Sequence, residues 1–99
     1  MKGQLSMIYT LFIHRPKPGL EELMLASMKR YRETMIRCPG CLEVHALRDQ
    51  WSNALIGMAI WESQEALANA RPALAEALKD EPYMDWLTEE PEGFLCEEG

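Results

Sequence analysis

After Lys79 this chain contains no lysine or arginine, while Asp80, Glu81, Asp85, Glu89, Glu90, Glu92, Glu97 and Glu98 follow. The net charge is −6, and no basic stripe offsets it. Such a surface repels phosphates, which argues against nucleic acid as a partner. The acidic end reads as a solvated face that keeps the protein soluble, or as a docking tail for a basic partner. Long apolar runs are missing too. Met7 to Ile13 has only a strand's length, and His14-Arg15-Pro16-Lys17-Pro18 follows it. That is too short to span a membrane and lacks a small-residue cleavage site, so no membrane association and no secretory signal are expected. Cysteine is scarce and odd in number, three in all, where a secreted framework would pair an even number. A cytoplasmic location is the expectation. No low-complexity tract and no internal repeat occurs, which excludes solenoids and propellers.

What remains is ordinary globular composition on a chain of 99 residues, enough for one domain. Residues 1–6 read as a short leader and 7–98 as the domain. Met7 to Ile13 is rich in β-branched and aromatic residues and predicts a first strand. Pro16-Lys17-Pro18-Gly19 ends it. Leu20, Leu23, Met24, Ser27, Met28, Tyr31 and Met35 then recur at three- and four-residue steps, the stripe of an amphipathic helix. Glu21 and Glu22 in its first turn and Arg37 near its end complement the helix dipole. Pro39-Gly40 stops it. Cys41 to Leu47 and Ala54 to Trp61 read as a hairpin around the polar turn Arg48 to Asn53. Ser63 can cap a second helix from Gln64, which Pro72 is expected to interrupt or restart before Ala73 to Lys79. A helical turn at Pro82 to Leu87 and a last strand, Phe94 to Cys96, complete the order.

That order, βαββαβ, describes an α+β, four-stranded antiparallel sheet with both helices on one face. A sheet with one wet face alternates apolar and polar residues. The third strand does not, because Ala54, Leu55, Ile56, Met58, Ala59, Ile60 and Trp61 are apolar on both parities. The first strand is similar, with Met7, Tyr9, Leu11 and Ile13 on one side and Ile8 and Phe12 on the other. Two short helices cannot cover both faces. Burying each further Ile- or Phe-sized side chain stabilises by about 1.5–3 kcal/mol, so a second copy packed on the bare face, a homodimer through sheet faces, is expected.

Three segments carry a family likeness: Lys17-Pro18-Gly19 before the first helix, Pro39-Gly40-Cys41-Leu42 opening the second strand, and Trp61-Glu62-Ser63-Gln64-Glu65-Ala66-Leu67 joining the third strand to the second helix. In this order and at these intervals the chain resembles the antibiotic biosynthesis monooxygenase (ABM) domain family over about residues 7 to 98. The resemblance implies a ferredoxin-like, dimeric α/β-barrel fold with a cavity between helices and sheet for a flat, apolar or quinone-like molecule. It implies an oxidoreductase: a cofactor-independent monooxygenase, or a related enzyme, acting on a small aromatic or quinol-type molecule that itself supplies the electrons. No cofactor and no metal are then required. The motifs themselves are turns, stops and caps; they identify a scaffold, not a reaction. A dimeric binding protein for a small apolar ligand, without catalysis, is the alternative.

Trp61 is the first candidate for a substrate contact, since the family places a tryptophan there and a flat indole suits a planar ligand. Gly57 and Ala59 share its strand parity and would leave room beneath the helices. Trp61 could equally plug the core or the dimer seam. His45, mid-strand, could accept a phenolic proton near neutral pH and is the candidate catalytic base, or it is a hydrogen-bonded surface residue. Its neighbours Val44 and Ala46 face the other way. His14, beside Arg15 at a strand end, looks more exposed. Tyr9, Tyr31, Tyr83 and Trp86 could converge as further substrate-binding aromatics, or belong to the core. Arg32 and Arg48 could hold a phenolate, or be solvated. Cys38-Pro39-Gly40-Cys41 follows a helix and precedes a strand, the wrong context for a thioredoxin-like pair, and no second pair completes a zinc site. Haem degradation, as the family's haem-degrading branch performs it, is disfavoured. The second-helix region, Gln64 to Leu87, has no histidine, and the first strand has no asparagine.

Overall fold

A computed structural model describes residues 6–99. All but the last residue of the expected leader, 1–6, lies outside the described residues. The chain forms β1 (Ile8–His14), α1 (Glu21–Met35), β2 (Cys41–Arg48), β3 (Leu55–Trp61), α2 (Gln64–Leu78), a 3-10 turn (Tyr83–Trp86) and β4 (Glu92–Cys96). The sheet order is β2-β3-β1-β4, every pairing antiparallel. This is the ferredoxin-like α+β fold. No helix among the described residues is long and apolar enough to cross a membrane.

Strand register sorts the side chains onto two faces. Ile8, Thr10, Phe12 and His14 of β1 share the helix-facing side with Leu55, Gly57, Ala59 and Trp61 of β3, and Val44 and Ala46 of β2 join them. Tyr9, Leu11, Ile13, Ile56, Met58 and Ile60 occupy the opposite side, where Phe94 and Cys96 of β4 stand beside Leu11 and Tyr9. Among the described residues no helix packs there; both helices lie over the first face.

The core under the helices has two parts. Ile8, Ala59 and Trp61 pack with Ala66, Ala70 and Leu74 of α2, while Leu55 packs with Met24, Leu25 and Met28 of α1 and with Leu87. Two helix details depart from the sequence pattern. Leu23, part of the expected stripe, is half exposed, and Leu25 is buried in its place. Pro72 neither interrupts nor restarts α2, which runs through it. A proline inside a helix costs about 3 kcal/mol and leaves the Ala68 carbonyl, four residues back, without its N–H partner. Burial of Ala66, Ala70 and Leu74, four residues apart on one face, holds the helix on both sides of the proline against that cost. The expected cap is made: Ser63 Oγ accepts the Ala66 N–H at 3.1 Å.

The segment after α2 is fastened to the turn after β1. Lys17 N–H donates to the Trp86 carbonyl and Thr88 N–H to the Arg15 carbonyl, both at 2.8 Å. Glu81 accepts from the buried Ser27 hydroxyl and from Arg30, each at 2.6 Å. These bonds hold the 3-10 turn beside the open end of the layer between α1 and the sheet.

Candidate functional site

The small residues at Gly57 and Ala59 leave a space between α1 and the sheet, a cavity of about 430 Å³. Ligand pockets commonly run about 300–1,000 Å³. Thr10, Phe12 and His14 line it from β1, Val44 and Ala46 from β2, and Gly57 and Ala59 from β3. Met24, Ser27, Met28, Tyr31, Arg32 and Met35 of α1 form the roof, with Tyr83 and Met84 of the 3-10 turn, Leu78, Glu90 and Pro91 at the end. Thioethers, methyls and ring faces dominate, and the polar side chains are Thr10, His14, Ser27, Tyr31, Arg32, Tyr83 and Glu90, with His45 at the border. Ser27 is committed to Glu81.

His14 is the titratable base of this cavity. Its alternation with Thr10 and Phe12 turns the ring toward the helices, where Cε1 lies 3.8 Å from the position a Cβ at Gly57 would take. Nδ1 stands 3.2 Å from the Leu55 carbonyl. A carbonyl only accepts, so in the neutral ring Nδ1 carries the hydrogen and Nε2 keeps its lone pair. Burial holds the ring's pKa below its ordinary 6.5, against the opposing effect of the Leu55 and Phe12 carbonyls. Neutral imidazole with one nitrogen anchored and the other unprotonated is the form a general base requires.

Tyr31 supplies the complementary group. Burial pushes its phenol up to about 12, with smaller contributions from Cys38 and Tyr83. It stays protonated and is a neutral hydrogen-bond donor at physiological pH. Arg32, one residue on, is a half-exposed cation whose nearest carboxylate, Glu33, stands at 3.9 Å. It is loosely held and free to face an anion.

The other sequence candidates lie elsewhere. His45 and Met58 border the cavity from strand positions whose parity turns their side chains to the opposite face. There the His45 ring is bonded to Glu43, on the same strand face, at 3.0 Å. Trp61 is fully buried in the α2 core cluster beside Ile8 and is not a wall of the cavity; its indole Nε1 has no hydrogen-bond partner among the described residues. Tyr9 belongs to the bare sheet face, where its hydroxyl donates to Glu98 at 2.7 Å. That carboxylate raises the Tyr9 pKa. Trp86 packs against the Met24–Leu55 cluster rather than into the cavity. Arg48 pairs with Glu22 at 2.7 Å. Of the candidate aromatics Tyr9, Tyr31, Tyr83 and Trp86, Tyr31 and Tyr83 line the cavity, together with Phe12. His14, expected to be the more exposed histidine, is half-buried instead. The two-residue alternation of Thr10, Phe12 and His14 could have assigned it to the same strand face as Phe12. Among the described residues no cluster of histidine, cysteine, aspartate and glutamate is arranged to hold a metal ion.

The family profile described as antibiotic biosynthesis monooxygenase matches residues 7–77. The chain belongs to this family. No curated protein matches it in sequence. Among solved structures, a conserved protein from Methanosarcina mazei Go1 is similar with a TM-score of 0.83 at 15% identity, over 96% of this chain and 95% of that one. A protein from Mycobacterium tuberculosis gives 0.79 at 15% identity, over 92% and 93%. A variant of SnoaB, a cofactor-independent oxygenase from Streptomyces nogalater, gives 0.77 at 17% identity, over 92% and 91%. At such identities the likeness is one of fold, and chemistry must be argued from the site.

Proposed function

We propose that this ABM-family chain is a homodimeric, cofactor-independent monooxygenase that oxidises a small, flat phenol or hydroquinone bound between α1 and the sheet. The observation that carries the proposal is His14: a neutral ring in an apolar cavity, anchored through Nδ1, with Nε2 able to take the phenolic proton. Deprotonation makes the substrate an electron-rich phenolate that can reduce oxygen. One oxygen atom then enters the substrate and the other leaves as water. Arg32 faces the phenolate charge, and the neutral Tyr31 hydroxyl donates to a substrate oxygen. The base is therefore assigned to His14, and His45 with Glu43 to the sheet face on which a second copy packs. That face, bearing Leu11, Ile13, Ile56, Ile60 and Phe94, supports the dimer.

Oxygen uptake with anthrone-like and hydroquinone substrates, without added flavin, haem or metal, tests the reading. His14→Gln should lower turnover about 10²–10⁴-fold with little change in KM, because general-base assistance has that size. His45→Ala should leave turnover unchanged. Wild-type turnover and an unaltered pH profile in His14→Gln would remove His14 from the chemistry. Tight aromatic binding with no oxygen uptake in the wild type would leave a binding protein.

A further inference from the structure

The connection from α1 to β2 is Cys38-Pro39-Gly40-Cys41. Cys41 N–H donates to the Cys38 carbonyl at 3.1 Å, closing a four-residue turn, and Gly40 sits at φ +86°. Proline second and a positive-φ glycine third define a type II β-turn. Such a turn brings its outer Cα atoms within about 7 Å, and disulfides bridge Cα atoms about 4.4–6.8 Å apart. Each side chain packs, half buried, against the cluster of Ile8, Trp61 and Ala66, alongside Tyr31 and Met35. The Cys38 thiol donates to the Thr34 carbonyl at 3.6 Å and the Cys41 thiol to the Glu43 carbonyl at 3.9 Å, contacts that the bridge would replace. The two thiols are close enough that the charge of one is felt by the other. Cys96, the third cysteine, is on the bare sheet face and takes no part.

From this geometry we infer that Cys38 and Cys41 form a reversible disulfide across the turn, made by exchange with a low-molecular-weight disulfide of the glutathione type. The site differs from a thioredoxin-like pair, which needs a helix N-terminus after its first cysteine; here the two sulfurs are set by a turn between a helix end and a strand. The exchange balances in two steps. Cys38 thiolate attacks one sulfur of the small disulfide and displaces its partner as a thiol. Cys41 thiolate then attacks Cys38 Sγ in the mixed disulfide, releasing the second small thiol. The protein pair is oxidised by two electrons, the small disulfide is reduced by two, and the two protein thiol hydrogens leave on the released thiols. Burial pushes the Cys41 thiol up to about 11, so the reduced pair has no stabilised thiolate at Cys41 to oppose the disulfide. It also makes Cys41 a slow nucleophile, so the first attack is written from Cys38. Tyr31 and Met35, which pack on the same cluster, are walls of the cavity, so the bridge would stiffen the layer behind the substrate site.

The test equilibrates the full-length native chain with glutathione buffers from fully reduced to fully oxidised, quenches with acid, alkylates, and digests with trypsin. The peptide Cys38–Arg48 carries both cysteines. At an oxidised poise it should appear unalkylated and lighter by two hydrogens, and dithiothreitol should restore two alkylation sites. Cys96 should behave independently. Cys38→Ser should leave Cys41 without a bridge, and it reacts with glutathione more slowly than the wild type if Cys38 attacks first. Two alkylated thiols on that peptide at every poise, or a separate glutathione on each cysteine, would overturn the inference.

Discussion

Gly19 and Gly40 share one backbone angle, φ +86°, and differ in the space around them. A Cβ at Gly19 would meet nothing within 4 Å, whereas one at Gly40 would stand 2.5 Å from Ala66 Cβ and 3.1 Å from Glu62 Cγ. The comparison separates conformational strain from steric exclusion. Left-handed backbone costs a non-glycine residue about 1–2 kcal/mol, so Gly19→Ala should destabilise by that amount. Gly40→Ala carries the same strain and adds an overpacked contact, typically about 1–3 kcal/mol. Glu62 has a flexible side chain and can withdraw, but Ala66 is fixed on the buried face of α2. The sum is about 2–5 kcal/mol, a large part of the roughly 5–15 kcal/mol that stabilises a domain. Urea denaturation at one fixed protein concentration measures both, because the proposed dimer would make stability concentration-dependent. Ala66→Gly should then rescue the steric part alone, leaving a favourable coupling of about 1–3 kcal/mol in the double-mutant cycle. Equal losses for Gly19→Ala and Gly40→Ala, or no coupling with Ala66→Gly, would refute the close approach of α2 to the turn.

Other perturbations follow from the same structure. Ser63→Ala should destabilise by about 1 kcal/mol by leaving the Ala66 N–H without its cap, read as a fall in urea midpoint at constant slope. His14 is held neutral by burial. As pH falls below 6.5 the unfolded chain takes up a proton that the folded chain resists, so stability should decline until the folded ring also protonates. His14→Gln should flatten that slope in urea titrations, and an unchanged slope would place the ring in water. Glu81 has the opposite character: its carboxyl lies below the ordinary 4.5 through the Ser27 and Arg30 bonds, so its contribution is present above 4.5 and lost as pH falls through the lowered value. Glu81→Gln should remove that acid-side step. Ile60→Asp should shift sedimentation from dimer toward monomer, since a carboxylate cannot be buried unpaired on the sheet face without a cost of several kcal/mol. An unshifted dimer would move the interface elsewhere.

Local chemistry carried much of this protein. The β-branched and aromatic run of β1, the polar turn between β2 and β3, the three- and four-residue stripe of α1, the Ser63 cap and the Pro-Gly stop are short-range signals, and each element formed within a residue or two of where they pointed. The paired small residues Gly57 and Ala59 likewise foretold a space beneath the helices, because strand parity alone puts them on one face. Pro72 was misleading because a local penalty of about 3 kcal/mol was set against burial of Ala66, Ala70 and Leu74, which no window around the proline contains. The site divided along the same line. Sequence offered two histidines and could place each on a strand; which face the helices cover decided that His14, not His45, enters the cavity. Trp61 and Ala59 share a face, yet where α2 crosses the sheet made one a core plug and the other a cavity wall. Periodicity is a property of neighbouring residues, whereas the side of a sheet that becomes interior is settled by elements far apart in the chain packing onto it.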